Sequence, residues 1–374
     1  MTGDGDLGHV LALASLPRMG PGRLDALLAG RDPRWVWEEL RRGGHGLDPV
    51  VGPRCGSGWA EVRAGWTAGA VAIDPARLAA AHHGLLVRRR GEDGFPVRLA
   101  DDPEPPAFLV MSADLPDAPI VAIVGTRRCS GYGRDVAREL GRGLAAAGVA
   151  VASGLALGID AAAHRGALDV DGAPPVGVVA TGLDVVYPVR NRRLWSDVEE
   201  RGALVTEQPL GTPPARWRFP ARNRILAGLA DVVVVVESHA AGGSMHTVTA
   251  ALERDVAVLA VPGPVTSPAS AGTNALLAEG AAPARHVDDV LTALGLRSTP
   301  VPAGARREVP AELRPVLDSL DATPTSIDAV SLRTGLDVVT LHGVLRRLAA
   351  LDLAEEEAGW WRSLPTQRVG HRGP

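Results

Sequence analysis

From Ile120 onward, short apolar runs alternate with segments in which apolar residues recur at helical spacing. The runs predict strands over residues 120–124, 149–152, 176–181, 203–206, 232–236 and 257–261. The segments between them predict helices over roughly residues 133–147, 160–169, 190–201, 221–230 and 243–254. Strands that alternate with helices through short connections favour a parallel sheet with helices on both faces, which is an α/β fold.

The first 60 residues have a different pattern. Residues 7–40 predict short helices, and Leu16–Leu24 has the form of a hairpin between two of them, with Gly20 and Gly22 at the turn. Helix-hairpin-helix modules of this form often hold a nucleic-acid backbone through their loop amides, but an ordinary turn in a small helical cap is the favoured interpretation. Residues 41–60 are rich in Gly and Pro and are expected to be loop-like.

The C-terminal part predicts a winged helix. Helical spacing recurs over residues 310–320, 326–334 and 340–350, and residues 353–363 fit a short hairpin. The third helix offers basic side chains to duplex DNA, but Glu355–Glu357 follow at the wing, so contact with protein is favoured over contact with DNA. The expected domains are 1–70 (helical), 71–295 (sheet) and 308–365 (winged helix), with a linker over 296–307.

Composition narrows the class of protein. The chain has 374 residues, of which 46% are hydrophobic and 22% charged, as in ordinary soluble proteins, and no segment is long and apolar enough to span a membrane. An acidic N-terminus and only two cysteines favour the reducing cytoplasm. The chain contains no Lys, so all 39 fixed positive side chains are Arg, which favours planar contacts and stacking.

Glycine-containing polar loops follow most of the predicted strands. Because the carboxyl ends of parallel strands meet at one edge of the sheet, these loops are expected to lie together and to bind a phosphate-rich ligand. The candidate residues in them are Gly125, Ser130, Gly154, Gly158, Gly243, Ser244, Thr247 and Asn274.

The stretch before the fifth predicted strand places an aromatic ring among several guanidinium groups. Phe219 and Pro220 precede a short helix that begins with Arg222, Asn223 and Arg224. A ring, Arg side chains and free helix amides together suit single-stranded nucleic acid. A capped surface helix with solvated Arg side chains is the alternative.

Several enzyme classes lack the residues they need. The second predicted strand ends without the carboxylate that a dinucleotide-binding site needs. A P-loop needs a Lys, and the chain contains none. A phosphoribohydrolase of the lysine-decarboxylase-like fold is the alternative function, but the first carboxylate after Thr247 is Glu253, a full helical turn late. Glu237 is expected to cap a helix or pair with Arg. Asp160 and His164, four residues apart, favour an internal hydrogen bond over a metal site, and no metal or cofactor is expected.

The sequence resembles the DNA-processing protein A (DprA/Smf) family. The resemblance is carried by Ile123–Arg127, Ser153–Asp160 with His164, Gly182–Asp184 with Tyr187–Pro188, Glu207–Pro209 with Gly211, Phe219–Arg224 and Val261–Gly263. It implies an extended Rossmann-like domain, between a small helical (helix-hairpin-helix/SAM-like) domain and a winged helix, that binds single-stranded DNA without strong sequence preference. It also implies a homodimer that helps to load the recombinase RecA during transformation or recombination. No enzymatic activity is expected, because the chain has no Lys and no carboxylate soon after Thr247.

The resemblance also implies roles for individual residues. Arg127 would anchor a phosphate, Arg216 would be a basic neighbour of the pocket, and Phe219 would stack on a base. Arg222, Asn223 and Arg224 would contact the backbone or bases. One departure is Gly242–Thr247, where the family usually shows Ser-Gly-Ser-Leu, which puts hydroxyl contacts at position 242 in doubt.

Overall fold

A computed structural model describes residues 4–55, 58–296, 309–320, 324–351, 353–357 and 359–363. The predicted linker lies almost wholly outside these residues. In the part of the chain that the structure describes, no helix is long and apolar enough to cross a membrane.

The N-terminal part is helical throughout. Its helices are α1 (Asp4–Ala14), α2 (Pro21–Leu28), α3 (Pro33–Arg41), α4 (Asp48–Cys55), α5 (Trp59–Ala72) and α6 (Pro75–Ala81). The expected loop over residues 41–60 is therefore wrong: a 3-10 turn at His45–Leu47, α4 and the start of α5 occupy most of it. Leu47 and Val51 are buried there, and the burial of these apolar side chains outweighs the weak helix propensity of the Gly and Pro residues around them.

The central part is a nine-stranded sheet. Its strands are β1 (Leu86–Arg89), β2 (Phe108–Met111), β3 (Ile120–Val124), β4 (Ala150–Ser153), β5 (Val176–Val178), β6 (Ala203–Thr206), β7 (Val232–Val235), β8 (Ala257–Ala260) and β9 (Ala282–Pro283). The intervening helices are α7 (Val97–Ala100), α8 (Gly131–Ala146), α9 (Ile159–Leu168), α10 (Arg192–Arg201), α11 (Arg218–Leu229), α12 (Met245–Leu252), α13 (Ala271–Ala278) and α14 (Val287–Ala293).

The strand order is β1-β2-β6-β5-β4-β3-β7-β8-β9. All neighbouring strands from β6 to β9 are parallel, which confirms the predicted α/β class. The antiparallel strands β1 and β2, which the sequence analysis did not identify, extend the sheet at the β6 edge. Since β3 pairs with both β4 and β7, the chain reverses its direction of travel across the sheet at β3, and a crevice opens there between the loops at the carboxyl ends.

Apolar side chains bury both faces of the sheet. Every residue of β3 is buried, with Val121 and Ile123 packing on one face and Ala122 and Val124 on the other. The N-terminal helices share a core with the sheet domain, because Trp37 and Trp66 belong to the same buried cluster as Phe108 and other sheet-domain residues. This packing holds the hairpin between α1 and α2 against the central domain.

The C-terminal part is a winged helix, as predicted. It consists of α15 (Arg314–Ser319), β10 (Thr325–Ser326), α16 (Ile327–Thr334), α17 (Val338–Ala350), β11 (Ala354–Glu357) and β12 (Trp360–Ser363). Trp361 is buried in its core, whereas Trp360 is exposed. Buried Arg362 on β12 forms ion pairs with Glu355 of the wing and with Asp135 of α8, and so attaches the wing to the sheet domain.

Candidate nucleic-acid interface

A cleft with a cavity volume of about 620 Å³ lies at the point where the chain reverses across the sheet. Loops after β3 and β7 and the start of α11 form its walls. Nine of the fourteen predicted site residues line it: Gly125, Arg127, Arg216, Phe219, Arg222, Asn223, Gly243, Ser244 and Thr247.

Glu237 braces the two loops that form the walls. Its carbonyl accepts from the amide of Thr126 at 2.7 Å, which ties the end of β7 to the loop after β3. Its buried carboxylate accepts from the amide of Ser130 at 2.8 Å and from the Ser130 hydroxyl at 2.5 Å. The Ser130 hydroxyl in turn accepts from the Gly133 amide and caps α8. Glu237 therefore holds the residue that caps α8 and does not cap the helix itself, and Ser130 supports the wall without lining the cleft.

Phe219 lies at the centre of an aromatic and cationic cluster. The guanidinium of Arg127 is 5.0 Å from the ring centroid, within the range of a cation–π contact. The ring of Tyr187 is 5.6 Å away at an interplanar angle of 45°. The sequence analysis placed Tyr187 in a motif but assigned it no part in the site. Its position beside Phe219 depends on a contact between segments 32 residues apart, which local pattern does not reveal.

Arg222 is buried beneath the cleft. Its Nη1 donates to the carbonyl of Val178 at 2.5 Å, and its Nε has no hydrogen-bond partner among the described residues. Burial lowers the pKa of Arg222 to about 10, and the charge of Asp160 opposes that shift. The guanidinium leaves no room for a side chain at Gly154, where a Cβ would lie 1.8 Å from Nη1.

Asp160 forms internal hydrogen bonds, as expected, but it does not pair with His164. Its carboxylate instead accepts from the amides of Gly154 at 3.1 Å and Ala156 at 3.4 Å. Burial raises the pKa of Asp160, with the charge of Arg222 acting in the opposite direction. The imidazole of His164 is fully buried, and burial lowers its pKa to about 4.

Arg224 lies outside the cleft. It is buried and forms an ion pair with Glu207, whose pKa is raised by its own burial, and a longer contact with Glu104. The helical spacing explains the difference between neighbours, since residues two apart on a helix face in different directions. A contact between Arg224 and nucleic acid would have to break this pair.

Three other predicted residues support the cleft from outside its lining. Gly154 admits Arg222. Gly158 has a φ of +79°, and a Cβ there would lie 2.3 Å from the carbonyl oxygen of Thr126, so only glycine fits. The Asn274 amide group bonds both the amide and the carbonyl of Gly263 and fixes the turn after β8.

The cleft presents positive charge at its mouth. Arg127, Arg128 and Arg216 line it and are exposed, whereas the carboxylate of Asp160 is buried. His239 and His246 add two exposed imidazoles on the opposite wall. A groove with fixed guanidinium groups around an aromatic ring suits an anionic ligand that also has flat, apolar faces.

Comparison with known proteins agrees with this geometry. The family described as DNA recombination-mediator protein A matches residues 87–295, more than half of the chain. The chain belongs to this family. The DprA winged helix domain matches residues 300–354.

Curated relatives carry the same family name. The putative DNA processing protein DprA of Mycobacterium tuberculosis is 41% identical over 249 residues, which are 65% of this chain and 64% of that protein. This match therefore spans slightly less than two thirds of that relative. Protein Smf of Escherichia coli is 37% identical over 254 residues, 66% of each chain.

Two solved structures share the fold. DNA processing protein A from Streptococcus pneumoniae superposes with a TM-score of 0.63 at 29% identity, covering 78% of this chain and 97% of that one. The Helicobacter pylori protein, described for its single-stranded DNA binding mode, gives a TM-score of 0.50 at 27% identity over 57% of this chain and 97% of that one.

The hydrolase alternative calls for an acid that closely follows the loop with Thr247. Among the described residues that line the cleft, Asp160 is the only carboxylate, and Asp160 is buried and held by backbone amides. The Glu253 side chain is 64% exposed and follows α12 at its C-terminal end. Among the described residues, no three His, Cys, Asp or Glu side chains converge as metal ligands would.

Proposed function

We propose that this DprA-family chain binds single-stranded DNA in the cleft, with the Phe219 ring as the stacking platform. The observation that carries the proposal is the position of that ring, 5.0 Å from the Arg127 guanidinium and 5.6 Å from the Tyr187 ring. Unpaired bases expose flat faces beside a charged backbone, and an aromatic ring next to Arg meets both. The Helicobacter pylori relative, described as binding single-stranded DNA, supports the same ligand here.

Each cleft residue has a role in this proposal. Arg127 and Arg216 contact phosphates, and Asn223 bonds the backbone or a base edge. Gly243, Ser244 and Thr247 allow the loop after β7 to approach a phosphate closely. Arg222 holds Phe219 and the start of α11 in place, since its guanidinium is already bonded to Val178.

Weak sequence preference follows from the same contacts. Stacking and phosphate contacts are available to every base, whereas sequence is read by hydrogen bonds to base edges. A cleft dominated by one ring and exposed guanidinium groups therefore distinguishes single-stranded from duplex DNA better than it distinguishes one base sequence from another. Duplex DNA keeps its bases stacked internally and offers the ring no free face.

Family resemblance supports the later steps of the proposal. The chain acts as a cytoplasmic homodimer that delivers its bound strand to RecA, without enzymatic activity of its own. The winged helix contacts a protein partner, because the exposed carboxylate of Glu356 on β11 would repel a DNA backbone.

The test is a titration with single-stranded and duplex DNA of equal length at equal salt, beside a hydrolysis assay with nucleoside monophosphates. Tighter binding of the single strand and no turnover are expected. Equal affinity for both forms contradicts the DNA proposal. Turnover that copurifies with the protein and is lost in Glu237→Gln or Gly243→Ala supports the hydrolase instead. RecA filament formation on single strands, measured with and without the protein, tests delivery.

A further inference from the structure

A second cleft adjoins the first, between the helical domain and the start of α11. It has a cavity volume of about 720 Å³ and is lined by Arg18, Gly20, Pro21, Gly22, Arg23 and Trp217. These residues come from the hairpin between α1 and α2 and from the position just after Arg216, which lines the first cleft. The two clefts are therefore adjacent along the chain.

Trp217 is unusually placed for a large apolar side chain. It is 44% exposed, although most Trp residues are largely buried. The guanidinium of Arg218 lies 4.9 Å from its ring centroid and orients the ring through a cation–π contact. Its ring edge meets the hairpin, where a Cβ on Gly20 would be 3.9 Å from Cζ3. The ring is thus fixed while a large part of it stays open to a ligand.

The hairpin supplies positive charge beside the ring. The Arg23 side chain donates to the carbonyl of Arg18 at 2.7 Å, and this partner carries no charge that would neutralise the guanidinium. Arg18 pairs with Glu61 at 3.0 Å, but both side chains are more than 60% exposed, and such surface pairs contribute little. The second cleft therefore repeats the chemistry of the first, which is an aromatic ring beside guanidinium groups.

We propose that the second cleft carries the continuation of the same DNA strand, with a base stacked on Trp217 and a phosphate beside Arg23. This inference rests on the proposed function, because the strand enters from the Phe219 cleft past Arg216. The hairpin of the helical domain then acts as a second wall of one binding path, and the site binds longer strands more tightly than the Phe219 cleft alone does.

The test compares two strand lengths. An oligothymidylate of roughly 4 nucleotides occupies the first cleft alone, and one of roughly 16 extends beyond it. Trp217→Ala is expected to weaken binding of the long strand roughly 5- to 150-fold, as the loss of one stacked base does, and to leave the short strand unchanged. Trp217→Phe, which keeps a ring, should restore most of the affinity. Trp360→Ala, at an exposed Trp of the wing, is the matched control and should change neither length.

A second variant tests the charge without touching the ring. Arg23→Gln should reduce the slope of log affinity against log salt by about 0.7 for the long strand and leave the short strand unchanged. The Arg23 side chain donates to an exposed carbonyl. This variant therefore tests whether the second cleft binds DNA even if Trp217→Ala melts early.

The outcomes separate the two proposals. Wild-type protein that binds neither length contradicts the proposed function itself. Wild-type binding with Trp217→Ala and Arg23→Gln unchanged on the long strand overturns only the second cleft, whose occupant is then something other than DNA. Equal weakening of both lengths by Arg23→Gln also overturns it, because the residue would then act on the first cleft.

Discussion

The guanidinium of Arg127 lies over the ring of Phe219, 5.0 Å from its centroid. The two residues come from different loops, one after β3 and one at the start of α11, so the fold brings them together at the point where the sheet reverses its strand order. The cation covers one face of the ring, and Tyr187 contacts the ring as well. The part of the ring that lines the cleft can stack on a base. The positive charge of Arg127 and the stacking surface of Phe219 therefore lie side by side in the cleft.

Arg222→Gln should lower stability more than it changes the electrostatics of binding. The residue is buried, bonded to Val178 and beside Asp160, so its loss leaves a buried carboxylate without its positive neighbour and destabilises the fold by roughly 3 kcal/mol. Because the carboxylate of Asp160 already balances the charge of Arg222, the slope of log affinity against log salt should stay at the wild-type value. Thermal melts and a salt series check both. A slope smaller by about 0.7 with an unchanged melt would restore the phosphate contact inferred from the sequence.

Gly154→Ala should disturb the cleft from beneath. The new Cβ would lie 1.8 Å from Nη1 of Arg222, and the buried guanidinium has no space to withdraw, so we expect a loss of roughly 1–3 kcal/mol in stability together with weaker DNA binding. Gly343→Ala on α17 is the matched control, because among the described residues no atom apart from the adjacent residues and helix backbone lies within 4 Å of its Cβ position. That control should be neutral or stabilising by up to about 1 kcal/mol. Equal melting temperatures for the two variants would contradict the packing described for Arg222.

His164 should make the fold sensitive to acid. Its folded pKa of about 4 lies below the unfolded value of 6.5, so between these pH values the unfolded chain takes up a proton that the native state does not. The free energy of unfolding should therefore fall as pH drops from 6.5 to 4, by on the order of 3 kcal/mol from this residue. Comparing wild type with His164→Leu removes the contribution of acidic groups common to both. Parallel stability curves for the two proteins across this range would refute the assignment.

Removing the winged helix should leave single-strand affinity intact. A chain that ends at residue 296 keeps every residue of the Phe219 cleft, and the described contact between wing and sheet domain includes the ion pair of Arg362 with Asp135, away from the cleft lining. In the full-length chain, Asp135→Asn should loosen the wing and increase the radius of gyration in solution scattering. Glu312→Gln, which breaks the exposed pair with Arg347 inside the winged helix, is the control and should not. Loss of affinity in a folded truncated chain would make the winged helix part of the site.

Local pattern was sufficient to predict six of the seven parallel strands, the winged helix and the loops that carry the cleft. It failed where the deciding partner is distant in sequence. Phe108–Met111 is a four-residue run after prolines, and it is a strand because it pairs with β6, nearly 100 residues away. The Gly- and Pro-rich segment 41–60 is largely helical because its apolar side chains complete the core around Trp66.

Two arginines of the site show the same limit of prediction from local sequence. The motif places Arg222 and Arg224 two residues apart in the sequence. Their charge alone predicts that both side chains are exposed to solvent. The fold buries them, because Asp160 and Glu207, each remote in sequence, reach the same positions. Arg127 and Phe219, by contrast, were expected to act in one site, and the structure brings them into direct contact.

The salt dependence of single-strand affinity for wild type, Arg127→Gln and Phe219→Ala tests the central claim most directly. Arg127→Gln should reduce the slope of log affinity against log salt by about 0.7, because one phosphate contact is lost. Phe219→Ala should keep the slope and weaken binding by roughly 1–3 kcal/mol at every salt concentration. Arg77→Gln, at an exposed position on α6, controls for net charge and should match wild type. A Phe219→Ala protein that melts normally and binds like wild type would contradict the account.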